Sequence, residues 1–383
     1  MNKEIKFPDY NNSILNLITS ILKHYNVKTS HTSLEALDKK LQNNYKNIVF
    51  IILDGMGEHI LKQLSPNGYF NNKKISTLTS VYPSTTTAAL TTYYSGKPPY
   101  ETGWIAWSQY FKEYGRAIDM LQHKESYKND SLEGASIDVF KTIVNYQSIF
   151  EQIEEASPNI NAYELTPSYS DKRANKSIRA DSIDEVIESI EMLCKTPDEK
   201  FIMAYCDNPD GLLHKYGTKS DEAKKFIQET EKKIQNMCEK LSKDTIVIIS
   251  ADHGHKDIEK AYTLLDYPEI QECLILPASL ESRVVSFWVK EDMKKEFEKR
   301  FNNIFKDEFL LMTKNEFLEK NLLGYGQKHP KIDDFIGNYI ALSIGGSIIR
   351  LETFLAEGKK VKKSTHCGLT KEEMEVPLIV IKE

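Results

Sequence analysis

The run Asn47–Leu53, NIVFIIL, constrains this chain more than any other segment, because it is apolar on both alternating faces and as a strand must be covered on both. Asp54 and Gly55 end it. Three later runs share its texture, at residues 201–206, 245–250 and 376–381. Helical patterns lie between them, most clearly at residues 221–241, where Phe226, Ile227, Ile234, Met237 and Leu241 form an apolar stripe. Buried strands alternating with helices specify an α/β fold, a mainly parallel central sheet flanked by helices on both faces. In such sheets functional groups collect in the loops beyond the carboxyl ends of the strands.

At 383 residues the chain is long for one simple domain, so one large core with an insertion, or two domains, is expected. The texture changes over residues 256–337, with LLDYPEIQECLILP, a strand-like VVSFWV and a charged helical stretch at 291–305. This span is read as a smaller inserted α/β cap, leaving residues 1–255 and 338–383 as the core. A formal net charge of -6 argues against a broad basic surface for nucleic acid or anionic lipid, but not against a small anionic substrate. The first 25 residues lack the pattern of an export signal. Their apolar residues Ile14, Leu15, Leu17, Ile18, Ile21 and Leu22 recur at helical spacing, which fits an amphipathic packing helix better than a membrane span. Cys194, Cys206, Cys238, Cys273 and Cys367 are odd in number and scattered, as expected of free thiols in a reducing cytoplasm.

Five segments carry residue types suited to chemistry. In ILDGMG, Asp54 ends a buried strand, a place where Asp also serves as a turn residue or cap. In VYPSTTTAALTTYYSGKPP a cluster of hydroxyls, including Thr85, Thr86 and Thr87, precedes a helix-compatible stretch. A hydroxyl there lies where free N–H groups and the helix dipole favour anions, although an N-cap needs no further role. In AYCDNPDGLLHKYG, Pro209 suits a helix start and puts Asp210 and His214 on one face, with Asp207 as the rival carboxylate and better N-cap. In IVIISADHGHKD a buried strand runs straight into Asp252 and His253, which is hard to explain as packing, with His255 expected beside the ligand set rather than in it. In STHCGLTKEEMEVPLIVI, His366 lies in a polar loop before the last strand.

Taken in chain order, strand-DG, PST-T with a following SG, PD-x-x-x-H, strand-ADHG and THCG resemble the alkaline phosphatase superfamily, and most closely its nucleotide pyrophosphatase/phosphodiesterase branch. The likeness runs from about Asn47 onward and includes LLDYPEI, ESRVVSFWV and GYGQKHPKIDDFIGNY of the inserted span. It implies that Asp54, Asp252 and His253 bind one metal, with the Thr86 hydroxyl completing its shell, and that Asp210, His214 and His366 bind the other. Thr86 is favoured over its neighbours because it stands ten residues before Gly96, the spacing between nucleophile and glycine in that branch. Carboxylate and imidazole donors without thiolate suit two zinc ions, with manganese and iron as alternatives.

The resemblance implies a threonine-dependent phosphodiesterase or nucleotide pyrophosphatase acting on a small phosphorylated substrate. The competing readings are a phosphomonoesterase, a phosphonate hydrolase, a phosphomutase and a non-catalytic metal-binding protein. Two departures bear on the choice. Ala89 stands where the branch usually has Asn, three residues after the nucleophile. No C/S-x-P-x-R signature and no arginine accompany Thr86, and Lys97 is the nearest cation in sequence.

Overall fold

The computed structural model describes residues 4–126, 139–351 and 362–382. Its centre is a seven-stranded sheet built from β1 (Asn47–Leu53), β2 (Lys74–Thr79), β3 (Ile160–Thr166), β4 (Lys176–Arg179), β5 (Glu199–Cys206), β6 (Thr245–Ser250) and β7 (Glu375–Ile381), in the order β2-β7-β6-β1-β5-β3-β4. β1 lies between β5 and β6 and is parallel to both, with Val49 opposite Ile202 and Val247. All seven of its side chains are buried, which is why the segment has no polar face. β3 is parallel to β4 and β5, whereas β7 runs antiparallel to β2 and β6. The fold is therefore a mainly parallel α/β sheet with one reversed strand.

Parallel pairing places the ends of β1, β5 and β6 side by side. Leu53 pairs with Cys206 and Ile52 with Ser250, so the chain leaves three neighbouring strands at Asp54, Asp207 and Ala251. The helix Thr86–Ser95 has all ten residues buried, and its Tyr93 OH donates to the Ala251 carbonyl at this edge, at 2.9 Å. Gly96 closes it at φ 71, and a Cβ there would come within 2.5 Å of Leu22 Cδ1, so the glycine serves both the left-handed turn and the close approach.

The N-terminal helix Ile14–His24 is buried on every side from Ile14 to Leu22 rather than on one face alone. Two of its buried polar residues are satisfied by the surrounding chain, whereas the Thr19 hydroxyl is buried without a partner. Asn16 Nδ2 donates to the carbonyls of Tyr10 and Thr32, each at 2.8 Å, and Ser20 Oγ accepts from Leu34 N–H at 2.9 Å. Among the described residues no helix is long and apolar enough to cross a membrane.

A second, antiparallel sheet orders Ser279–Glu281, Val284–Phe287, Tyr339–Ser343 and Phe309–Thr313. Its side chains divide by the two-residue period of a strand. Val285, Phe287 and Ala341 pack with Phe297, Phe301 and Phe305 of the helix Lys294–Phe305, while Val284, Ile340 and Leu342 join Trp104, Phe111 and Ile118. Two polar contacts tie this sheet to the residues before β7. Arg283 makes a bidentate, fully buried pair with Glu373 at 2.6 and 2.7 Å. The Glu281 carboxylate accepts from Trp107 N–H and from the Cys367 thiol, both at 2.8 Å.

Candidate metal centre

Asp54 and Asp252 leave adjacent parallel strands and face one another. Gly55 N–H and His253 N–H both donate to Asp252 Oδ1, at 3.0 and 2.9 Å, and Tyr205 OH donates to Asp54 Oδ2. Asp54 Oδ1 and Asp252 Oδ2 are thereby left buried with no hydrogen-bond partner. His253 Nε2 stands 3.5 Å from the first and 3.3 Å from the second, and the Thr86 hydroxyl lies 3.2 Å from the same nitrogen. Gly55 has φ +72, and a Cβ on it would meet Asp210 Cα and the His255 ring at 3.0 Å, so only glycine lets this corner close.

The second donor group gathers around one oxygen. Asp210 opens the helix Asp210–Tyr216, and its N–H donates to the Asp54 carbonyl at 2.9 Å. Around Asp210 Oδ1 stand His255 Nε2 at 2.6 Å, His214 Nε2 at 3.4 Å and His366 Nε2 at 3.7 Å. The rings of His253 and His366 stack with centroids 3.8 Å apart, which brings the two donor groups together. Lys362 Nζ lies 3.0 Å from His214 Nε2.

The backbone fixes which nitrogen of each ring is free. Carbonyl oxygens only accept, so Nδ1 carries the proton in His214, bonded to Ser364 O at 2.7 Å, in His253, to Gly254 O at 3.0 Å, and in His366, to Ser84 O at 3.1 Å. For His255 the partner is Ser364 Oγ at 3.1 Å, which gives its own proton to Leu213 O at 2.7 Å. Each neutral ring therefore carries its lone pair on Nε2, which stands near a carboxylate in His253, His255 and His366 and accepts from Lys362 in His214, as metal-binding histidines are oriented by their other ring nitrogen.

Burial, and then the nearby Asp252 and Asp210 carboxylates, push the Asp54 carboxyl well above its ordinary value of 3.8. Burial pushes the His214 imidazole down to about 3, and also lowers His255 and His366. A set of neutral imidazoles with crowded, partly unpartnered carboxylates fits divalent cations.

Of the seven residues expected as ligands, Asp54, Asp210, Asp252, His253 and His366 have donor atoms in groups within 4.8 Å of one another, while His214 Nε2 stands 3.4 Å from Asp210 Oδ1 and the Thr86 hydroxyl 3.2 Å from His253 Nε2. His255 differs from expectation. It is fully buried, and its Nε2 stands among the donor atoms of Asp210, His253 and His366, all within 4.8 Å of one another. Asp207 does not cap the helix, where Pro209 holds the N-cap position, but accepts from Tyr169 OH at 3.0 Å. Ala89 is buried in the apolar core and Lys97 is exposed. Tyr205 and Ser364, which orient Asp54 and two of the histidines, carry no motif of their own; the only sequence signal for Ser364 is that it stands two residues before His366.

An α/β sheet that presents clustered carboxylates and imidazoles beside a buried hydroxyl, beyond the ends of its parallel strands, is the arrangement of a metal-dependent hydrolase. The sequence matches the family model described as type I phosphodiesterase / nucleotide pyrophosphatase over residues 48–323, and the chain belongs to that family, within the alkaline phosphatase superfamily. Solved structures share the fold at low identity. Human ectonucleotide pyrophosphatase/phosphodiesterase 5 superposes with a TM-score of 0.63 at 16% identity, covering 87% of each chain. An inactive form of the murine protein in complex with AMP gives 0.62 at 15%, covering 86% of this chain and 87% of that one. Phosphonoacetate hydrolase from Sinorhizobium meliloti, in complex with phosphonoacetate, gives 0.61 at 15%, covering 87% and 89%. Among curated protein sequences none matches.

Proposed function

We propose that this chain is a two-metal phosphoryl-transfer hydrolase with Thr86 as nucleophile, acting on phosphodiesters or pyrophosphate-linked nucleotides. One observation carries this reading: Asp54, Asp252 and His253 converge beside the Thr86 hydroxyl, and the stacked His253–His366 pair joins them to Asp210 and His214. The unpartnered Asp54 Oδ1 and Asp252 Oδ2, with the Nε2 lone pairs, fit the ions that the family uses. Two divalent ions held there, zinc by the preference of carboxylate and imidazole donors, would acidify a coordinated hydroxyl and screen a phosphoryl group. Asp54, Asp252 and His253 with Thr86 hold the first, and Asp210, His214 and His366 hold the second.

Thr86 sits at the first residue of its helix, where free N–H groups and the dipole favour phosphoryl oxygens. Its Oγ1 gives up its proton and forms the bond to phosphorus as the bond to the leaving-group oxygen breaks, the leaving oxygen taking up a proton. Water then gives its hydroxyl to phosphorus and its other proton to Oγ1, cleaving the phosphothreonine ester and restoring the hydroxyl. Charge favours a diester. Asp54, Asp252 and Asp210 offset most of the charge of two divalent ions, and no arginine accompanies Thr86 in the sequence, so a diester monoanion requires less cationic compensation than a monoester dianion. Residues 256–337, which supply three of the four strands of the second sheet and reach Cys367 beside His366 through Glu281, are read as a cap that shapes the pocket. AMP and phosphonoacetate, the ligands of the structural neighbours, support a small phosphorylated substrate. Five free, buried cysteines support a cytoplasmic setting.

The test combines metal analysis with hydrolysis of matched aryl monoesters, aryl diesters, nucleotide sugars and phosphonates. Thr86→Ala is expected to keep its zinc and lose turnover by at least about a thousandfold, with Thr86→Ser retaining part. Undiminished turnover in Thr86→Ala, or full activity with one ion, overturns the mechanism. A monoester preference above about tenfold in kcat/KM overturns the substrate class and favours a phosphomonoesterase.

A further inference from the structure

We propose that His255 is a protein ligand of the ion held by Asp210, His214 and His366, so that this site is imidazole-rich and keeps its ion when the Asp54, Asp252 and His253 site is stripped. The inference rests on the two-metal reading and extends it to a residue outside the family's ligand pattern.

The geometry is specific. Three Nε2 atoms surround Asp210 Oδ1, and the His255 nitrogen is the closest, at 2.6 Å against 3.4 and 3.7 Å. The His255 ring lies 4.8 Å from that of His214 and 5.3 Å from that of His366, centroid to centroid. Donors at the corners of a tetrahedral zinc shell stand about 3.3 Å apart, given bonds near 2.0 Å, so the cluster needs only modest opening at His255 to hold an ion.

The hydrogen bonds explain why a cation belongs there. Ser364 Oγ gives its proton to Leu213 O, so the His255 ring must donate from Nδ1, and its Nε2 presents a lone pair to a carboxylate oxygen. A lone pair and a carboxylate oxygen 2.6 Å apart need a positive charge between them, which an ion supplies when bound and a proton on Nε2 in its absence. Ser364 also fixes His214, through its carbonyl, so one residue aims both rings at the same point. His255 is fully buried and packed against the backbone of Gly55, which leaves it little freedom to swing away. The other site offers two carboxylates, one imidazole and a hydroxyl. Zinc and its neighbours toward copper in the first transition series prefer the nitrogen-rich set.

The test uses the full chain, stripped and then loaded with a single equivalent of zinc, and reads the number of imidazoles around the ion by X-ray absorption. The expected shell in the parent protein contains His214, His255 and His366. In His255→Ala it loses one imidazole, and zinc affinity at this site falls by more than about a hundredfold, beyond the loss typical of an orienting residue. Asp54→Asn, which disables the other site, is expected to leave the singly loaded shell unchanged. His255→Gln, closer in size, decides the matter should the alanine variant fail to fold. An imidazole count identical in parent and variant, with both ions still bound, overturns the role of His255 while the two-metal reading stands. A parent protein that binds only one ion overturns both.

Discussion

Asp54→Asn in the metal-free protein isolates the electrostatic cost of the first site. Asp54 and Asp252 are both almost wholly buried, and each has one oxygen without a hydrogen-bond partner. Their donor atoms lie within 4.8 Å, at which two unit charges repel by about 3.5 kcal/mol at an effective dielectric of about 20. The chain avoids part of this by holding a proton on Asp54, whose carboxyl is raised by burial and by Asp252 and Asp210. A carboxyl raised in the folded state binds more protons folded than unfolded above its ordinary value of 3.8, so its favourable contribution is complete below that value and is lost as pH rises through the folded one.

Asparagine removes the charge, keeps the acceptor for Tyr205 OH and offers an N–H to the unpartnered Asp252 Oδ2. The variant is therefore expected to match the parent near pH 4 and to exceed its stability by about 1 to 3 kcal/mol at pH 8, both in chelator. Zinc reverses the order, because an ion at a hundred times its dissociation constant stabilises the parent by about 2.7 kcal/mol and the variant has lost a ligand. Guanidinium unfolding followed by circular dichroism, at both pH values with and without zinc, reads all four terms. A variant less stable than the parent at pH 8 in chelator would falsify the account of opposed buried carboxylates.

Lys362→Met is expected to raise zinc affinity by about two- to tenfold, since Lys362 Nζ occupies the His214 lone pair that the ion must take; unchanged or weaker binding in a competition assay refutes this. Breaking the buried Arg283–Glu373 pair by Arg283→Met is expected to cost about 3 to 5 kcal/mol, and a loss below about 1 kcal/mol in a denaturant titration counts against its role in joining the two sheets. Burial raises the Cys206 thiol to about 12 and Cys194 to about 11, so each remains protonated until the pH approaches those values. Both are expected to resist iodoacetamide at pH 8 in the folded protein and to react after denaturation, as read by mass spectrometry of the labelled peptides.

Asp54, Asp252 and His253 were legible because one physical fact governs them: a strand buried on both faces ends abruptly in a charge. β1 and β6 carry no polar face, so nothing in packing calls for Asp54 or Asp252 at their ends, and parallel register then makes two sequence-distant acids neighbours. Asp210 and His214 were legible for a different reason, since residues four apart on any helix share a face and Pro209 marks where this one begins. The reversed direction of β7 was not. An apolar run has no direction, and only the path of the chain through Lys371–Met374 turns it against β6.

The donor role open to His255 was hidden because its geometry depends on the loop. In ADHGH the residues at 253 and 255 project according to how the backbone turns at Gly254, and that turn is set by contacts far away in sequence, including the Gly254 N–H bond to Glu373 O at 2.8 Å. The same segment near residue 373 carries the buried partner of Arg283 and leads into β7. Glu373 therefore links three things that no local pattern connects: the second sheet, the loop that aims His253 and His255, and the strand that closes the core. Residues 364–366 depend on this arrangement as well, since Ser364 and Thr365 pair antiparallel with Lys256 and Asp257, immediately after His255. That short ladder holds His366 and the Ser364 hydroxyl against the 253–255 loop, so the second donor group is assembled by backbone pairing between two segments about a hundred residues apart. A local sequence pattern contains the ligands but not the pairing that brings them together.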